Sequence, residues 1–222
     1  MKINAIRKTY EGRTVLDFDG VTLEKGKIYA VLGANGSGKT TLAKIAAGIV
    51  KTDGKTRPFD GECSVGYMPQ KSFAFHASVM KNIMVAADKN DENRKKAERY
   101  MERLALSDLR DTRADRLSGG ETAKTALIRT MMGDFDVLIL DEPTAAMDVS
   151  SSLTAEELIK EYASERNACI ILVTHSVKQA QRIADKVLFL YEGRLLEYGD
   201  TEQVLFSPQR RETVEFLNFY GV

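Results

Sequence analysis

The sequence predicts an α/β protein in which helices cover both faces of a mostly parallel sheet. Wholly apolar runs of four or five residues recur along the chain, and segments with a helical repeat separate them. Strands that are apolar throughout are typical of sheets buried on both faces. Alternation of such strands with helices indicates a layered α/β fold. At 222 residues, the chain has the length of one domain.

The first thirty residues predict short antiparallel strands, because they alternate in polarity and are interrupted by turns. They lead into the first buried strand, IYAVL, at residues 28–32. A helix follows, and residues 51–64 form a polar turn region. The apolar face of that helix is predicted to contain Leu42, Ile45, Ala46 and Ile49.

Residues 72–110 predict helices. Their apolar residues recur at helical spacing among charges, which indicates an amphipathic, half-solvated helix. The helical stretch, continued to residue 116, interrupts the alternation of strands and helices. We therefore expect a helical subdomain over roughly residues 72–116, at the side of the sheet. The residues that carry the pattern are Ala97, Tyr100, Met101 and Leu104.

The second half of the chain predicts further helices between buried strands. A helix after Gly120 precedes the strand VLIL at residues 137–140, and a helix near residues 152–164 precedes CIILV at residues 169–173. On the first of these helices, one face is predicted to contain Ala123, Ala126, Leu127 and Met131.

The last elements are a capped helix, a hairpin and a short helix. Ser176 with Gln179 predicts a capping box at the start of the helix. VLFLY and RLLEY, separated by Glu192 and Gly193, predict the hairpin. The short helix is expected to begin near Asp200.

Composition argues against several classes of protein. The 32 Lys and Arg residues balance 32 Asp and Glu residues, which disfavours both a nucleic-acid binder with a basic face and a polybasic membrane anchor. No apolar run approaches the ~20 residues that span a bilayer, and the N-terminus lacks the apolar core of a signal peptide. We expect a soluble cytoplasmic chain. Cys169 is predicted to be a buried thiol, with no disulfide to Cys63, and His76 a structural or surface residue.

The segment GANGSGKT, residues 33–40, predicts a phosphate-binding loop. It follows the strand at residues 28–32, opens a helix and matches G-x-x-x-x-G-K-[ST]. Its glycines let successive N–H groups face one anion. Lys39 would reach the β- and γ-phosphates, and the Thr40 hydroxyl would ligate Mg²⁺. The glycine spacing disfavours a dinucleotide fingerprint.

Acidic and polar residues follow the other predicted strands. In VLILDEP, Asp141 would lie in the coordination shell of Mg²⁺, and Glu142 would reach a water in line with the γ-phosphate. His175 ends a core strand at the edge where α/β proteins bind ligands, so it could contact the γ-phosphate; the alternative is a structural histidine. Gln70 could ligate Mg²⁺ or a water; the alternative is a surface glutamine.

A second glycine loop, LSGGE at residues 117–121, also opens a predicted helix. Helix N-termini attract anions, but each contributes typically ~0.3–1 kcal/mol. The loop has no Gly-Lys-Thr, so it would hold an intact triphosphate poorly by itself.

In this order, the motifs resemble those of the nucleotide-binding subunit of an ATP-binding cassette (ABC) transporter, over essentially the whole chain. The resemblance rests on GANGSGKT, Gln70, LSGGE, VLILDEP, AAMD at residues 145–148 and VTHS at residues 173–176. LSGGE distinguishes this family from other P-loop ATPases, and the N-K-x-D of a guanine-reading GTPase is absent. The resemblance implies a P-loop NTPase fold in one domain, 1–222, with a RecA-like, mostly parallel core, an antiparallel β subdomain and the α-helical subdomain.

The resemblance also implies roles for individual residues, with ATP and Mg²⁺ as cofactors. Glu142 would be the general base, with Lys39 and His175 also catalytic, and Tyr10 would stack on adenine. Thr40, Gln70 and Asp141 would hold the metal. Across a dimer, a second copy's ATP would contact Ser118, Gly119 and Gly120, with Asp148 at the contact between the two cassettes. The phosphates would be bound by Gly33, Asn35, Gly36, Ser37, Gly38, Lys39, Thr40 and Thr41.

Three departures from the family pattern leave these catalytic groups in place. Glu121 stands where glutamine is commoner, and Met147 where leucine is typical. The segment between the phosphate loop and Gln70 is short for the family, which could alter the surface that contacts a membrane partner.

The resemblance implies an ATPase that dimerises on ATP, as a homodimer, and drives a separate integral membrane permease. It would be cytoplasmic and peripheral on the inner face of the cell membrane, without a nucleic-acid partner. The tail is similar to that of small-solute importers, which implies import of an amino acid or an oxyanion and a possible solute-binding protein. Two alternatives are a soluble, non-transport cassette, for example in cofactor assembly, and a small-molecule kinase. LSGGE and Asp148 argue against the kinase.

Overall fold

A six-stranded sheet forms the centre of the computed structural model, which describes residues 1–54 and 56–221. Lys55, in the predicted turn region, and Val222, at the end of the tail, lie outside the described residues. All neighbouring strands are parallel except for the antiparallel hairpin at one edge. In spatial order the strands are β10 (Arg194–Asp200), β9 (Lys186–Tyr191), β5 (Ile28–Leu32), β8 (Cys169–Val173), β7 (Val137–Asp141) and β6 (Val65–Met68).

The three central strands β5, β8 and β7 are buried at every residue. This confirms the strands predicted from the wholly apolar runs. Alternate residues face opposite sides of a strand, so Leu138 and Leu140 enter one apolar core while Val137 and Ile139 enter another. The sheet is therefore covered on both faces, as predicted.

The N-terminal strands lie outside the central sheet in two antiparallel pairs. They are β1 (Lys2–Ile3), which pairs with β4 (Val21–Thr22), and β2 (Ile6–Tyr10), which pairs with β3 (Arg13–Phe18). Asp17 N donates to Gly193 O over 2.7 Å, which joins the β2–β3 hairpin to the turn between β9 and β10. The antiparallel pairing and the β9–β10 hairpin are confirmed.

Eight α-helices surround the described strands. The first, α1 (Lys39–Ala46), packs in the same core as β1 to β4, and the second core contains α2 to α5. None of the helices in the described part of the chain is both long enough and apolar enough to cross a bilayer. The other helices are α2 (Val79–Ile83), α3 (Asp91–Arg103), α4 (Gly119–Met131), α5 (Val149–Arg166), α6 (Val177–Ile183), α7 (Thr201–Phe206) and α8 (Arg211–Tyr220).

Two helix predictions need correction. Helix α1 ends at Ala46, and Ile49, predicted on its apolar face, is 59% exposed. Residues 72–78 are not helical, because the buried amide of Asn82 bonds both Phe75 N, over 2.7 Å, and Phe75 O, over 3.1 Å, and holds this segment as a loop. The predicted buried face of α3 is confirmed.

The predictions for the two cysteines and for His76 are confirmed. Cys169 is fully buried, which raises the pKa of its thiol to about 12, and Cys63 and Cys169 are both free. His76 lies on the surface, 3.6 Å from Asp115. The division into one domain with a helical subdomain over residues 72–116 stays a prediction.

Candidate functional site

The phosphate-loop sequence connects strand β5 to helix α1, as predicted. Gly33, Gly36 and Gly38 all have positive φ, at 147°, 79° and 101°. A Cβ at Gly33 would collide with the carbonyl oxygen of Leu190, and one at Gly38 would lie 3.0 Å from Val15 O. Glycine is therefore required both for the backbone conformation and for the close packing of the loop.

Lys39 folds back over this loop. Its ammonium donates to Gly33 O over 2.7 Å and to Ala34 O over 3.0 Å. Burial lowers the pKa of Lys39, and the nearby carboxylates of Glu142 and Asp141 oppose that effect. The hydroxyl of Ser37 is buried and has no hydrogen-bond partner within the described chain. Because buried polar groups are normally paired, this hydroxyl is suited to contact an anion in the loop.

Asp141 is the last residue of β7 and is fully buried. Thr40 Oγ1 donates to its Oδ1 over 3.5 Å and Tyr67 Oη to its Oδ2 over 3.4 Å. Burial is the main cause that raises the pKa of Asp141, with a smaller contribution from Glu142. Both hydrogen bonds are long, so the carboxylate has capacity to bind a cation.

Glu142 directly follows β7, and the chain turns at this residue with φ 52°. This left-handed conformation is uncommon for a residue other than glycine and often occurs at functional sites. Glu142 N donates to Val173 O over 2.9 Å, which fixes the turn beside the end of β8. The carboxylate contacts His175, with 2.7 Å between Oε1 and Nδ1. The side chain of Glu142 is 9% exposed and that of His175 is 55% exposed.

These elements enclose a cleft of about 260 Å³. Ser37 lines an adjoining cleft, together with Arg13 and Tyr191. His175 reaches the first cleft only through its contact with Glu142. The predicted site residues that line the first cleft are Asn35, Gly36, Gly38, Lys39, Thr40, Thr41, Gln70, Asp141 and Glu142.

Other predicted residues lie elsewhere. Tyr10 is 46% exposed near the tip of the β2–β3 hairpin, where it pairs with Arg13. Within residues 1–54 and 56–221, neither cleft is lined by Tyr10, by Asp148 or by residues 118–120. One chain therefore does not bring the LSGGE loop to its own phosphate loop.

Ser118 caps the N-terminus of helix α4 in a complete capping box. Its hydroxyl accepts from Glu121 N over 3.3 Å, and Glu121 Oε2 accepts from Ser118 N over 2.7 Å. Hydrogen bonds that the Ser118 hydroxyl and then its backbone N–H donate to the carboxylate lower the pKa of Glu121. Glu121 is thus more than a departure from the family pattern, since S-x-x-E is itself a capping signal.

Asp148 caps the N-terminus of helix α5 beside the LSGGE loop. Its side chain accepts from Ser151 N over 2.8 Å, and Lys124 Nζ lies 3.9 Å away. A Cβ at Gly120 would lie 3.0 Å from Ala146 O, so the LSGGE loop packs closely against the segment that precedes α5. Asp148 thus has a local capping role, which was not predicted, in addition to its predicted place at the contact between two cassettes.

The capping box predicted for helix α6 is only half formed. Ser176 caps α6 by accepting from Gln179 N, but the predicted capping box is incomplete, because the side chain of Gln179 donates to Thr144 and Glu156 instead.

The hydrogen bond from Tyr67 to Asp141 was not predicted from the sequence. The position of Tyr67 in YMPQ, three residues before Gln70, gave only a weak signal.

The fold and the cleft define a P-loop ATPase. Residues 17–145, more than half of the chain, match the family described as ABC transporter. The chain therefore belongs to the ABC transporter family, in which it is an ATP-hydrolysing, nucleotide-binding subunit. This confirms the resemblance drawn from the motifs and leaves no support for the kinase alternative.

Curated relatives and solved structures agree with this assignment. The chain is 36% identical over 206 residues to the tungstate uptake system ATP-binding protein TupC of Peptoclostridium acidaminophilum, covering 88% of this chain and 96% of that protein. It is 33% identical over 221 residues to the phosphate import ATP-binding protein PstB of Aeropyrum pernix, covering 87% of each. A dimeric ATP-binding cassette in a post-hydrolysis state with ADP and Pi has the same fold, with TM-score 0.78, 20% identity and coverage of 90% of this chain and 98% of that one.

Proposed function

We propose that the cleft binds MgATP and that two copies of the chain hydrolyse it together to drive import of a small oxyanion through a membrane permease. The observation that carries this proposal is the convergence of Lys39, Asp141 and Glu142 on one cleft. The cleft thus combines the ammonium of Lys39 with the carboxylates of Asp141 and Glu142. This combination suits phosphoryl transfer, in which catalysis is mostly positioning and charge stabilisation.

The loop and Lys39 would bind the phosphates. Phosphate oxygens would replace Gly33 O and Ala34 O as partners of the Lys39 ammonium, and the unpaired hydroxyl of Ser37 would gain an acceptor. The backbone N–H groups at the start of α1 would add the favourable end of the helix dipole.

Magnesium would be held by Thr40, Gln70 and Asp141, all of which line the cleft. Their hydroxyl, amide and carboxylate oxygens are hard donors, and Mg²⁺ in nucleotide sites commonly uses one or two carboxylates with substrate phosphates. When bound, the ion would neutralise charge on the phosphate oxygens. It would also compensate the buried charge of Asp141.

Glu142 would act as general base toward the attacking water. The 2.7 Å contact with His175 orients its carboxylate. His175 is half exposed and could also donate to the γ-phosphate in the closed enzyme.

The composite site would need a second copy. Ser118, Gly119 and Gly120 lie apart from their own phosphate loop, so we infer that they contact ATP held by the partner, with Asp148 near the contact. Tyr10 would stack on the adenine beside the adjoining cleft. The dimeric state of the structural relative supports this arrangement.

The proposed solute is an oxyanion. The relatives named for tungstate uptake and phosphate import are 36% and 33% identical to the chain, whereas those named for arginine transport and L-cystine import are 28% identical, which favours an oxyanion over an amino acid. The permease would hold the chain at the inner face of the cell membrane, and a solute-binding protein would deliver the solute outside.

Glu142→Gln tests the catalytic assignment. Removal of the general base should slow ATP hydrolysis by roughly 10²–10⁴ and leave the dissociation constant of ATP unchanged, because glutamine has the same shape and cannot accept the proton. Phosphate release and equilibrium binding of a fluorescent ATP analogue measure the two effects.

Glu202→Gln is the matched control, because Glu202 is exposed on α7, outside the cleft. It should keep wild-type turnover. Turnover of Glu142→Gln near that of the wild type would show that another group is the base. Copurification of a membrane permease with the tagged chain tests the proposed partner.

A further inference from the structure

A polar network, buried at Glu156 and Gln179 and exposed at Arg182, lines the same cleft as Glu142 and His175. Gln179 Nε2 donates to Thr144 Oγ1 over 2.8 Å and to Glu156 Oε1 over 3.1 Å. Glu156 is only 3% exposed, and Arg182 donates to both of its carboxylate oxygens, over 2.6 Å each. These four side chains come from the loop after β7 and from helices α5 and α6.

The chemistry of the network fixes the orientation of the Gln179 amide. An ionised carboxylate can only accept hydrogen bonds, so the amide nitrogen must face Glu156. The two N–H groups of that nitrogen are then both used, one by Glu156 and one by Thr144. The bidentate contact of Arg182 with Glu156 is a geometrically specific pairing that holds the acceptor in place.

Gln179 therefore joins the two segments that carry the proposed reacting groups. Thr144 follows Glu142 by two residues, with the rigid Pro143 between them. Gln179 lies one turn into α6, whose cap Ser176 immediately follows His175. A hydrogen bond from Gln179 to Thr144 consequently restrains the distance between the backbones of Glu142 and His175.

We propose that Gln179 is a positioning residue for ATP hydrolysis: its amide, oriented by Glu156 and Arg182, bonds Thr144 and keeps the carboxylate of Glu142 aligned with His175. This inference rests on the proposed function, because it assumes that Glu142 is the general base. It assigns no contact between Gln179 and ATP.

A purely stabilising role is the competing explanation. Buried ion pairs are weak evidence for stability, since apolar residues of similar volume often replace them without loss. The directional requirement is different: only a donor at position 179 and an acceptor at position 144 maintain the link. Variants that preserve volume but remove one partner separate the two explanations.

The first test compares Thr144→Val with Thr144→Ser. Valine keeps the shape and removes the acceptor, whereas serine keeps the hydroxyl. Small misplacements of reacting groups can reduce rates by up to about 10²-fold, so we expect kcat of Thr144→Val to fall by roughly 10–10²-fold with KM for ATP unchanged. Thr144→Ser should retain kcat close to that of the wild type.

The second test is a double-mutant cycle. Gln179→Met should lower kcat as much as Thr144→Val does, and the double variant should lower it no further, because both changes remove the same link. Gln181→Met is the matched control, since Gln181 is exposed on the same helix, and it should retain full kcat. Thermal melting of each variant shows whether its fold is intact.

Wild-type kcat in Thr144→Val, or an equal loss in Thr144→Ser, would overturn the inference. So would additive losses in the double variant. If Gln179→Met fails to fold, the valine and serine pair decides alone. Glu142→Gln distinguishes the two levels of the proposal: full turnover in that variant would refute the proposed base, whereas loss of turnover there with normal kcat in Thr144→Val would refute only the positioning role of Gln179.

Discussion

Asp141 illustrates, at the scale of a residue, how the site is held at a cost to stability. Its carboxylate is fully buried with two long hydrogen bonds, and burial raises its pKa. The neighbouring Glu142 adopts a positive φ. Such features persist where the surrounding structure enforces them, and they often mark functional sites.

Asp141→Asn should stabilise the nucleotide-free protein at pH 7. Because the folded-state pKa of Asp141 lies above the ordinary value of 3.8, its ionised form lowers stability once the pH exceeds both values. Asparagine removes that charge, and the carboxylate of Glu142 still compensates the positive charge of Lys39. At this chain length, 1 kcal/mol corresponds to roughly 2–4 °C in melting temperature, which scanning calorimetry resolves.

The advantage of Asp141→Asn should narrow as the pH falls through the raised pKa toward 3.8. Asp148→Asn is the control with the opposite sign, because hydrogen bonds from Ser151 lower the pKa of Asp148. Its carboxylate contributes stability above pH 3.8, which is lost as the pH falls through the lowered pKa, so Asp148→Asn should not raise the melting temperature. A lower melting temperature for Asp141→Asn would contradict the idea that its charge is uncompensated.

At the scale of an element, the start of helix α4 likewise links stability to the proposed site. Ser118 both caps the helix and belongs to the loop proposed to contact the partner's ATP. Loss of a serine cap costs typically about 1 kcal/mol. Changes at this position therefore combine a local stability effect with an effect on the composite site.

Ser118→Arg should abolish hydrolysis while each chain still binds ATP, because the bulky side chain would obstruct closure on the partner's γ-phosphate. Ser118→Ala loses the same cap without the bulk, so the two variants should have similar melting temperatures. We expect alanine to retain more activity than arginine. Steady-state hydrolysis and ATP binding by each variant check this, and full activity in Ser118→Arg would mean that the loop has another role.

At the scale of the whole molecule, the phosphate loop and the LSGGE loop of one chain do not share a cleft. Glu142→Gln should therefore accumulate an ATP-bound dimer, because binding closes the two chains and blocked hydrolysis prevents their release. Size-exclusion chromatography with MgATP should show about twice the mass of the 24.7 kDa chain.

Two controls define that dimer. Lys39→Ala, combined with Glu142→Gln, should remain monomeric because it cannot hold ATP, and Ser118→Arg with Glu142→Gln should bind ATP without dimerising. A dimer that forms equally well without nucleotide would indicate an interface unrelated to the composite site.

Much of this molecule was predictable because its signals are local. Apolar runs gave the bounds of β5 and β8 and most of β7, and the glycine spacing gave the loop at residues 33–40. The segment at residues 72–78 was predicted wrongly, because hydrogen bonds with the side-chain amide of Asn82 hold Phe75 in a loop. The capping box predicted at Gln179 is also incomplete, because this side chain donates hydrogen bonds to Thr144 and Glu156, which lie on other elements.

The sequence by itself determined the fold class, the family and the residue types of the site, because each depends on short motifs and on periodicity. Only the tertiary structure decided which side chains meet. The parallel register of β7 with β8 brings Glu142 to His175, and packing of α5 against α6 buries Glu156 with Gln179. These contacts join residues far apart in the chain, and no local pattern specifies the partner that a polar side chain will find.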